Sequence, residues 1–235
     1  MRSILDWASS TIKKVSDHPQ VFLLSPAYCG GRRATMLLRP GAGIELAVRL
    51  RSGTLTLGEA FTFLSGLYFR GKMTYAQAFG RVPAAETPAT LVITPTRGLL
   101  LPETLVTADL LREFAAVDVA ADDDRYRVPL ERDLQTLSER LPKDARVVLL
   151  GSIASDKYVT LLIRALGARL HYPPSFVGRG DMSRGGLLLR SARASTELDY
   201  RVLEVSSQRH GRRPPKLEPL ARTGPPRRVR FERVL

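Results

Sequence analysis

The sequence predicts an α/β fold around a largely parallel central sheet, and three observations carry that reading. Short apolar runs at Val21–Ser25 (VFLLS), Thr90–Thr94 (TLVIT) and Val147–Gly151 (VVLLG) each end in a polar loop. They lack alternation, as strands buried on both faces do. Between them lie segments whose apolar residues recur every three or four positions, the period of a helix packed on one side, and the connections are long enough for strand–helix–strand crossovers.

In chain order, Ser3 to Val15 carries Ile4, Leu5, Ala8, Ile12 and Val15, with Ser3 and Asp6 at capping-box spacing, and predicts an amphipathic helix lying on the core. His18-Pro19 ends it. Val21–Ser25 is the first buried strand and runs directly into Pro-Ala-Tyr-Cys-Gly-Gly-Arg-Arg. Ile44 to Leu50 alternates and reads as an edge strand. Thr56 to Phe79 has helical spacing at Leu57, Phe61, Leu64 and Tyr68, interrupted near Ser65-Gly66 and Gly71. Two helical pieces are expected there, with a polar joint that exposes Arg70 and Lys72. Thr90–Thr94 is the second strand, followed by Pro95-Thr96-Arg97-Gly98. Val106 to Phe114 is expected to be helical, Asp122 to Asp124 a solvated turn, and Leu130, Leu134, Leu137 and Leu141 the buried stripe of the next helix.

Val147–Gly151 is the third strand. Ser152 to Tyr158 opens a helix that runs to Leu166 and closes at Gly167. Leu170–Tyr172 predicts another strand, Pro173 to Gly186 a glycine-rich loop, and Leu187 to Arg190 a further strand. Residues 1–205 form one α/β domain in this reading. Residues 206–235 form a Pro/Arg-rich tail, extended or disordered unless it lies on the body or a ligand.

The balance of charge is informative: 36 Lys and Arg against 23 Asp and Glu give +13, and residues 209–235 supply nine basic and two acidic groups of that total. A basic tail on a basic body points to a polyanionic partner, because neutralised phosphates release counterions. No run is apolar and long enough to span a bilayer, and no signal-peptide pattern opens the chain, so a cytoplasmic location away from membranes is expected. The lone Cys29, with His18, His171 and His210, offers no zinc-ligand spacing. Gly30-Gly31 lacks the spacing of a nucleotide fingerprint. No metal or organic cofactor is expected.

In open α/β sheets ligands bind beyond the carboxyl ends of the strands. Four polar loops should converge there: Ser25 to Arg33, Thr94 to Gly98, Gly151 to Tyr158 and Pro173 to Gly186. They bring Ser25, Tyr28, Cys29, Arg32, Ser152, Asp156, Lys157, Tyr158, Ser175, Arg179, Asp181, Ser183 and Arg184, a set rich in phosphate and base-edge binders. Asp181, set between two arginines in a glycine loop, is the first candidate for a catalytic acid. Asp156 serves either as its substitute or as a helix cap. Cys29 with His171 as base is a nucleophile reading, against that of a small buried residue.

The order VFLLSPAYCGG, TLVIT, VVLLGSIASDKYVTLLIRALG and LHYPPSFVGRG resembles the uracil-DNA-glycosylase-like α/β superfamily over roughly Val21 to Arg190. It is also similar to the branch of that fold related to the archaeosine-synthase middle domain. There a Tyr or Phe followed by Gly-Lys, and a later helix beginning near Lys-Tyr, recur; Tyr68, Gly71-Lys72 and Lys157-Tyr158 answer to these. The resemblance implies a three-layer sandwich and a DNA glycosylase that flips a modified, bulky or hypermodified base and hydrolyses its glycosidic bond. A carboxylate near the sugar would stabilise the positive charge of the transition state.

Under that reading Asp181 or Asp156 is catalytic. Ser25, Tyr28, Cys29, Tyr68, Ser152, His171 and Ser175 form the base pocket. Arg32, Arg33, Lys72, Arg97, Lys157, Arg179, Ser183 and Arg184, with Arg212 and Arg213 of the tail, hold nucleic acid. DNA is the expected partner, with RNA open, and the protein acts as a monomer without an obligatory protein partner. Lys157 as a Schiff-base lysine would make it a lyase, but a helix-start lysine more often binds phosphate. The sequence departs from the superfamily in two places: the first loop has no Asp or Asn, and His171 precedes Tyr172-Pro173-Pro174-Ser175 instead of sitting directly before the Pro-Ser element. Two alternatives remain open: a non-catalytic nucleic-acid-binding accessory module, and a nucleoside or phosphoribosyl-type transferase.

Overall fold

The computed structural model describes residues 18–82 and 87–217. The helix expected over Ser3–Val15 and the tail beyond residue 217 lie outside the described residues. The elements are β1 (Gln20–Leu24), α1 (Arg32–Leu38), α2 (Glu45–Arg51), α3 (Leu57–Ser65), α4 (Leu67–Phe79), β2 (Thr90–Ile93), β3 (Leu99–Leu100), α5 (Ala108–Ala115), α6 (Asp124–Arg140), β4 (Arg146–Leu150), α7 (Asp156–Leu166), β5 (Leu170–Tyr172), α8 (Asp181–Arg193) and β6 (Arg201–Val202).

The six strands form one sheet in the order β3-β2-β1-β4-β5-β6. β1 lies parallel between β2 and β4, with Leu23 opposite both Leu91 and Leu149, and β5 continues the parallel block. The two edge strands run antiparallel, β3 on β2 and β6 on β5. The sheet is therefore mixed, not mostly parallel. Neither edge pair is legible in the sequence, because a two-residue strand carries no period; β3 is instead set by the turn at Thr94, whose N–H and hydroxyl both donate to Gly98 O.

Every residue of β1 is buried, which explains its unbroken apolar run. Phe22, Leu24, Val148 and Leu150 face a cluster with Phe61, Phe69, Tyr75 and Phe114, from α3, α4 and α5. Val21, Leu23, Val147 and Leu149 face the opposite cluster, with Leu130, Leu134 and Leu137 of α6 and Leu162 of α7. Helices thus flank the sheet on both faces. Each such side chain contributes about 1.5–3 kcal/mol on burial.

Two expected strands are helices. Ile44 to Leu50 forms α2, in which Ala47 and Leu50 are buried at helical spacing while Val48, inward in the alternating reading, is exposed. Leu187 to Arg190 lies inside α8, which begins at Asp181 and absorbs the second half of the expected glycine loop. Gly185 is helical because α8 packs directly on α4. A Cβ on Gly185 would lie 2.6 Å from Leu67 O, and one on Gly71 would lie 2.7 Å from Gly185 O. The two glycines let the helix backbones touch, so Gly71 is a packing residue and not a joint. The joint falls at Gly66, between α3 and α4.

Residues 206–217 lie along the body. Gly178, at φ +74°, would bring a Cβ to 2.5 Å from Arg212 O, so only glycine lets this stretch pass. Arg209 pairs with Asp156 and Arg179 donates to Pro215 O.

Candidate functional site

β1 leads through α1–α4 to β2 on one side of the sheet, whereas β4 leads through α7 to β5 on the other. The loops after these two neighbouring strands therefore diverge and leave a crevice at their carboxyl ends, where open α/β sheets bind ligands. A cavity of about 920 Å³ occupies it. The first loop contributes Ser25, Tyr28, Cys29, Arg32 and Arg33, α4 contributes Tyr68 and Lys72, the loop after β4 contributes Ser152, Lys157 and Tyr158, and α8 contributes Asp181.

Lys72 is the principal departure from the sequence reading: it is not an exposed phosphate binder but 1% exposed at the cavity floor. Its Nζ donates to Ser25 O at 2.9 Å and bonds Ser25 Oγ at 2.7 Å, and it lies 4.1 Å from the Tyr68 ring centroid. Among the described residues no carboxylate lies within ion-pair distance of it. Burial pulls its pKa down to about 7, opposed by Asp181 and reinforced by Arg184. The signal was present in the sequence: Tyr68, Lys72, Tyr75 and Phe79 fall on one helical stripe, and a lysine within an apolar stripe is a buried lysine.

Tyr68, beside it, is buried and its Oη has no hydrogen-bond partner. Burial pushes the phenol well above its ordinary range, with the Arg184 guanidinium opposing. Arg184 is itself buried, donating to Phe176 O at 3.2 Å and to Asp181 Oδ1 at 3.2 Å. Asp181 is thus held by one arginine, not two; its carboxylate is 67% exposed and stands on the first turn of α8 rather than in a loop. Arg179, expected to be its second partner, binds Ser175 O and Ser183 Oγ. Tyr158, left out of the expected pocket, donates to Ser152 O at 2.8 Å, and burial raises its pKa to about 12. Tyr28 is 73% exposed at the rim and presents an open aromatic face.

Several expected residues lie elsewhere. His171 sits within β5 opposite Val148 and Val202, its Nδ1 on Arg169 O, its pKa lowered by burial; it does not line the cavity and forms no pair with Cys29. Cys29 lines the wall, its thiol raised to about 12 by burial and so a poor nucleophile. Asp156 lies outside the cavity lining, held by Arg209, whose hydrogen bond and charge lower its pKa. Arg97 is clamped by Glu113 at 2.6 Å, and only Pro95 of its loop reaches the cavity. Ser175, Arg179, Ser183, Arg212 and Arg213 lie away from the lining, and Arg184 stands behind it.

Among the described residues no three His, Cys, Asp or Glu side chains group as a metal site, and no helix is long and apolar enough to cross a membrane. No protein-family model, curated protein or solved structure matches this chain.

Proposed function

We propose that the protein is a DNA N-glycosylase: it flips a modified base into the cavity and hydrolyses the bond to C1′, leaving an abasic site. The observation that carries this reading is the division of the cavity, with the open carboxylate of Asp181 on one wall and the buried amine of Lys72 at the floor. Glycosidic cleavage builds positive charge on the sugar and negative charge on the departing base. A carboxylate at the entrance opposes the first charge, and the protonated form of Lys72, which a pKa of about 7 leaves populated near neutral pH, opposes the second from beneath the base. Tyr28 stacks on the nucleotide, while Arg32, Arg33 and Lys157 hold flanking phosphates. The net charge of +13 supports a nucleic-acid partner.

About 920 Å³ stands near the upper end of small-molecule sites, about 300–1,000 Å³, and leaves space beyond an ordinary base. The substrate in this reading is a bulky or hypermodified base of the kind that protects phage DNA, excised by a cytoplasmic, monomeric enzyme as defence. The three-layer, uracil-DNA-glycosylase-like form of the fold belongs to the same proposal. It is supported by the place of β1, which feeds the cavity loop, and by the exposed Ser175 turn after β5, suited to entering DNA.

Duplexes bearing uracil, alkylated, hydroxymethylated or glucosylated bases, treated with protein and then with alkali, should break at one modification. Asp181→Asn should keep DNA affinity and lose excision by about 100-fold or more. Salt-sensitive binding without breaks on any substrate overturns the enzyme reading in favour of an accessory module.

A further inference from the structure

We infer that Ser25 and Lys72 form a nucleophile–base pair through which the cavity hydrolyses carboxylic esters of anionic, phosphate-bearing alcohols. The inference is independent of base excision and needs only the pair and the cavity.

The pair is built from the backbone outward. Ser25 follows the last residue of β1, and its N–H is fixed to Leu150 O of β4 at 3.3 Å. Lys72 is fixed by α4, which Gly71 seats against α8. Their 2.7 Å contact therefore joins two rigid elements at the wall of the cavity. Lys72 Nζ donates to Ser25 O at 2.9 Å and to Ser25 Oγ at 2.7 Å, 4.1 Å from the Tyr68 ring centroid; on losing its proton the amine turns a lone pair to the same Oγ and takes the Ser25 O–H. An ion-paired lysine would have no lone pair to offer; this one has no carboxylate within reach among the described residues.

The charged and titratable groups facing it are Asp181 and Arg184 from α8, Tyr158 from α7 and Tyr68 on its own helix; β1 contributes none. Burial, which dominates, keeps a large share of Lys72 unprotonated near neutral pH. Cys29, which also lines the cavity, has a thiol pKa raised by burial to about 12, and Lys72 bonds none of the other lining serines, Ser65, Ser152 and Ser155.

The reaction balances with water as its co-reactant. Ser25 Oγ attacks the ester carbonyl carbon and its proton passes to Lys72 Nζ. The C–O bond of the alcohol breaks, and the alkoxide leaves with that proton. Water, deprotonated by Lys72, then attacks the acyl-serine and releases the acid, and Ser25 recovers its proton. Tyr68 lines the cavity with a fully buried, unpartnered Oη that a ligand would have to uncover to engage, and Arg32, Arg33 and Lys157 favour an anionic alcohol.

The test uses a fluorophosphonate probe, whose phosphorus Ser25 Oγ would attack with loss of fluoride. Intact-protein mass spectrometry should show one adduct, mapped by fragmentation to Ser25. Its rate should rise as pH increases through about 7 and level off above it. Ser25→Ala should abolish the adduct, and Lys72→Met and Lys72→Arg should slow it by about 100-fold. Thermal melts establish that the variants are folded; the mapping and the pH profile need no variant. An unmodified Ser25, or a wild-type rate without that inflection, overturns the proposal. Labelling without base excision, or excision without labelling, separates it from the glycosylase reading.

Discussion

Helix α4 carries buried polar groups in both halves, and the two halves are finished differently. In the C-terminal half, Tyr75 Oη meets Tyr200 Oη at 2.5 Å and accepts the Leu198 N–H at 2.8 Å. Tyr200 donates to Glu197 at 3.0 Å, and Glu197 also takes Gln20 Nε2 and, at 3.3 Å, Arg81. Only one Arg81 nitrogen in that network lacks a partner. In the N-terminal half, Tyr68 Oη has none, and Lys72 is neutralised by no carboxylate. Polar groups buried and tied to one another fasten the sheet to its helices; those buried and left unpaired beside the cavity are, under the proposed function, the ones a ligand would satisfy. The contrast can be broken or sharpened by substitutions of graded effect.

The largest effect is expected at the saturated half. Glu197→Ala takes one partner from each of Gln20, Arg81 and Tyr200, which keep Phe79 O, His18 O and Tyr75 Oη, and should lower the unfolding free energy by about 2–4 kcal/mol in urea titrations. A loss below about 1 kcal/mol would mean that solvent already replaces the carboxylate and that this half is no fastening. Gly71→Ala comes next. Its methyl would press on the Gly185 carbonyl, so α4 and α8 must part, at about 1–3 kcal/mol. Because Lys72 is the adjacent residue, the probe reaction at Ser25 should slow as well, a coupling that substitutions in the Glu197 network should not show.

Lys72→Met reverses the sign. From about pH 7 up to the ordinary lysine pKa the unfolded chain binds a proton that folded Lys72 does not, so stability of the parent should rise with pH across that window. Below about pH 7 both states are protonated and the contribution is flat. The variant should lack the rise and be at least as stable as the parent at pH 7, as read from urea titrations at pH 7 and 9.5. A parent whose stability is flat over this range would show that Lys72 titrates as an ordinary exposed lysine.

How much of this was legible depends on the range of the signal. The four parallel strands, the stripe of Leu130, Leu134, Leu137 and Leu141, the Gly167 stop and the break at Gly66 are local patterns, and each stands where the sequence put it. The loops after β1 and β4 were placed correctly at the cavity because topology alone brings them together. The sequence is silent where a residue answers to a partner distant in the chain. Gly185 and Gly186 read as loop residues until α4 is laid against them. Asp181 reads as a loop carboxylate until Leu187 and Leu188 turn out to continue its helix. Val48 completes an alternating pattern that burial of Ala47 overrides. His171 and Arg97 stand beside polar loops in the sequence, whereas strand register and Glu113 decide where they point.

The smallest stability effect, and the sharpest division between the two halves, is expected from paired removal of one oxygen. Tyr75→Phe takes a partner from both Tyr200 Oη and Leu198 N and should cost about 1–2 kcal/mol. Tyr68→Phe removes a hydroxyl that bonds to nothing and is buried nonetheless, so its loss should change stability by less than about 0.5 kcal/mol, or raise it slightly. The ring that faces Lys72 is retained, so its packing is unaltered. What Tyr68→Phe should lose is ligand: weaker substrate binding at unchanged stability, against lower stability at unchanged binding for Tyr75→Phe. If both variants lose the same stability, Tyr68 Oη is a structural group like Tyr75 Oη, and the cavity floor belongs to the core instead of the site.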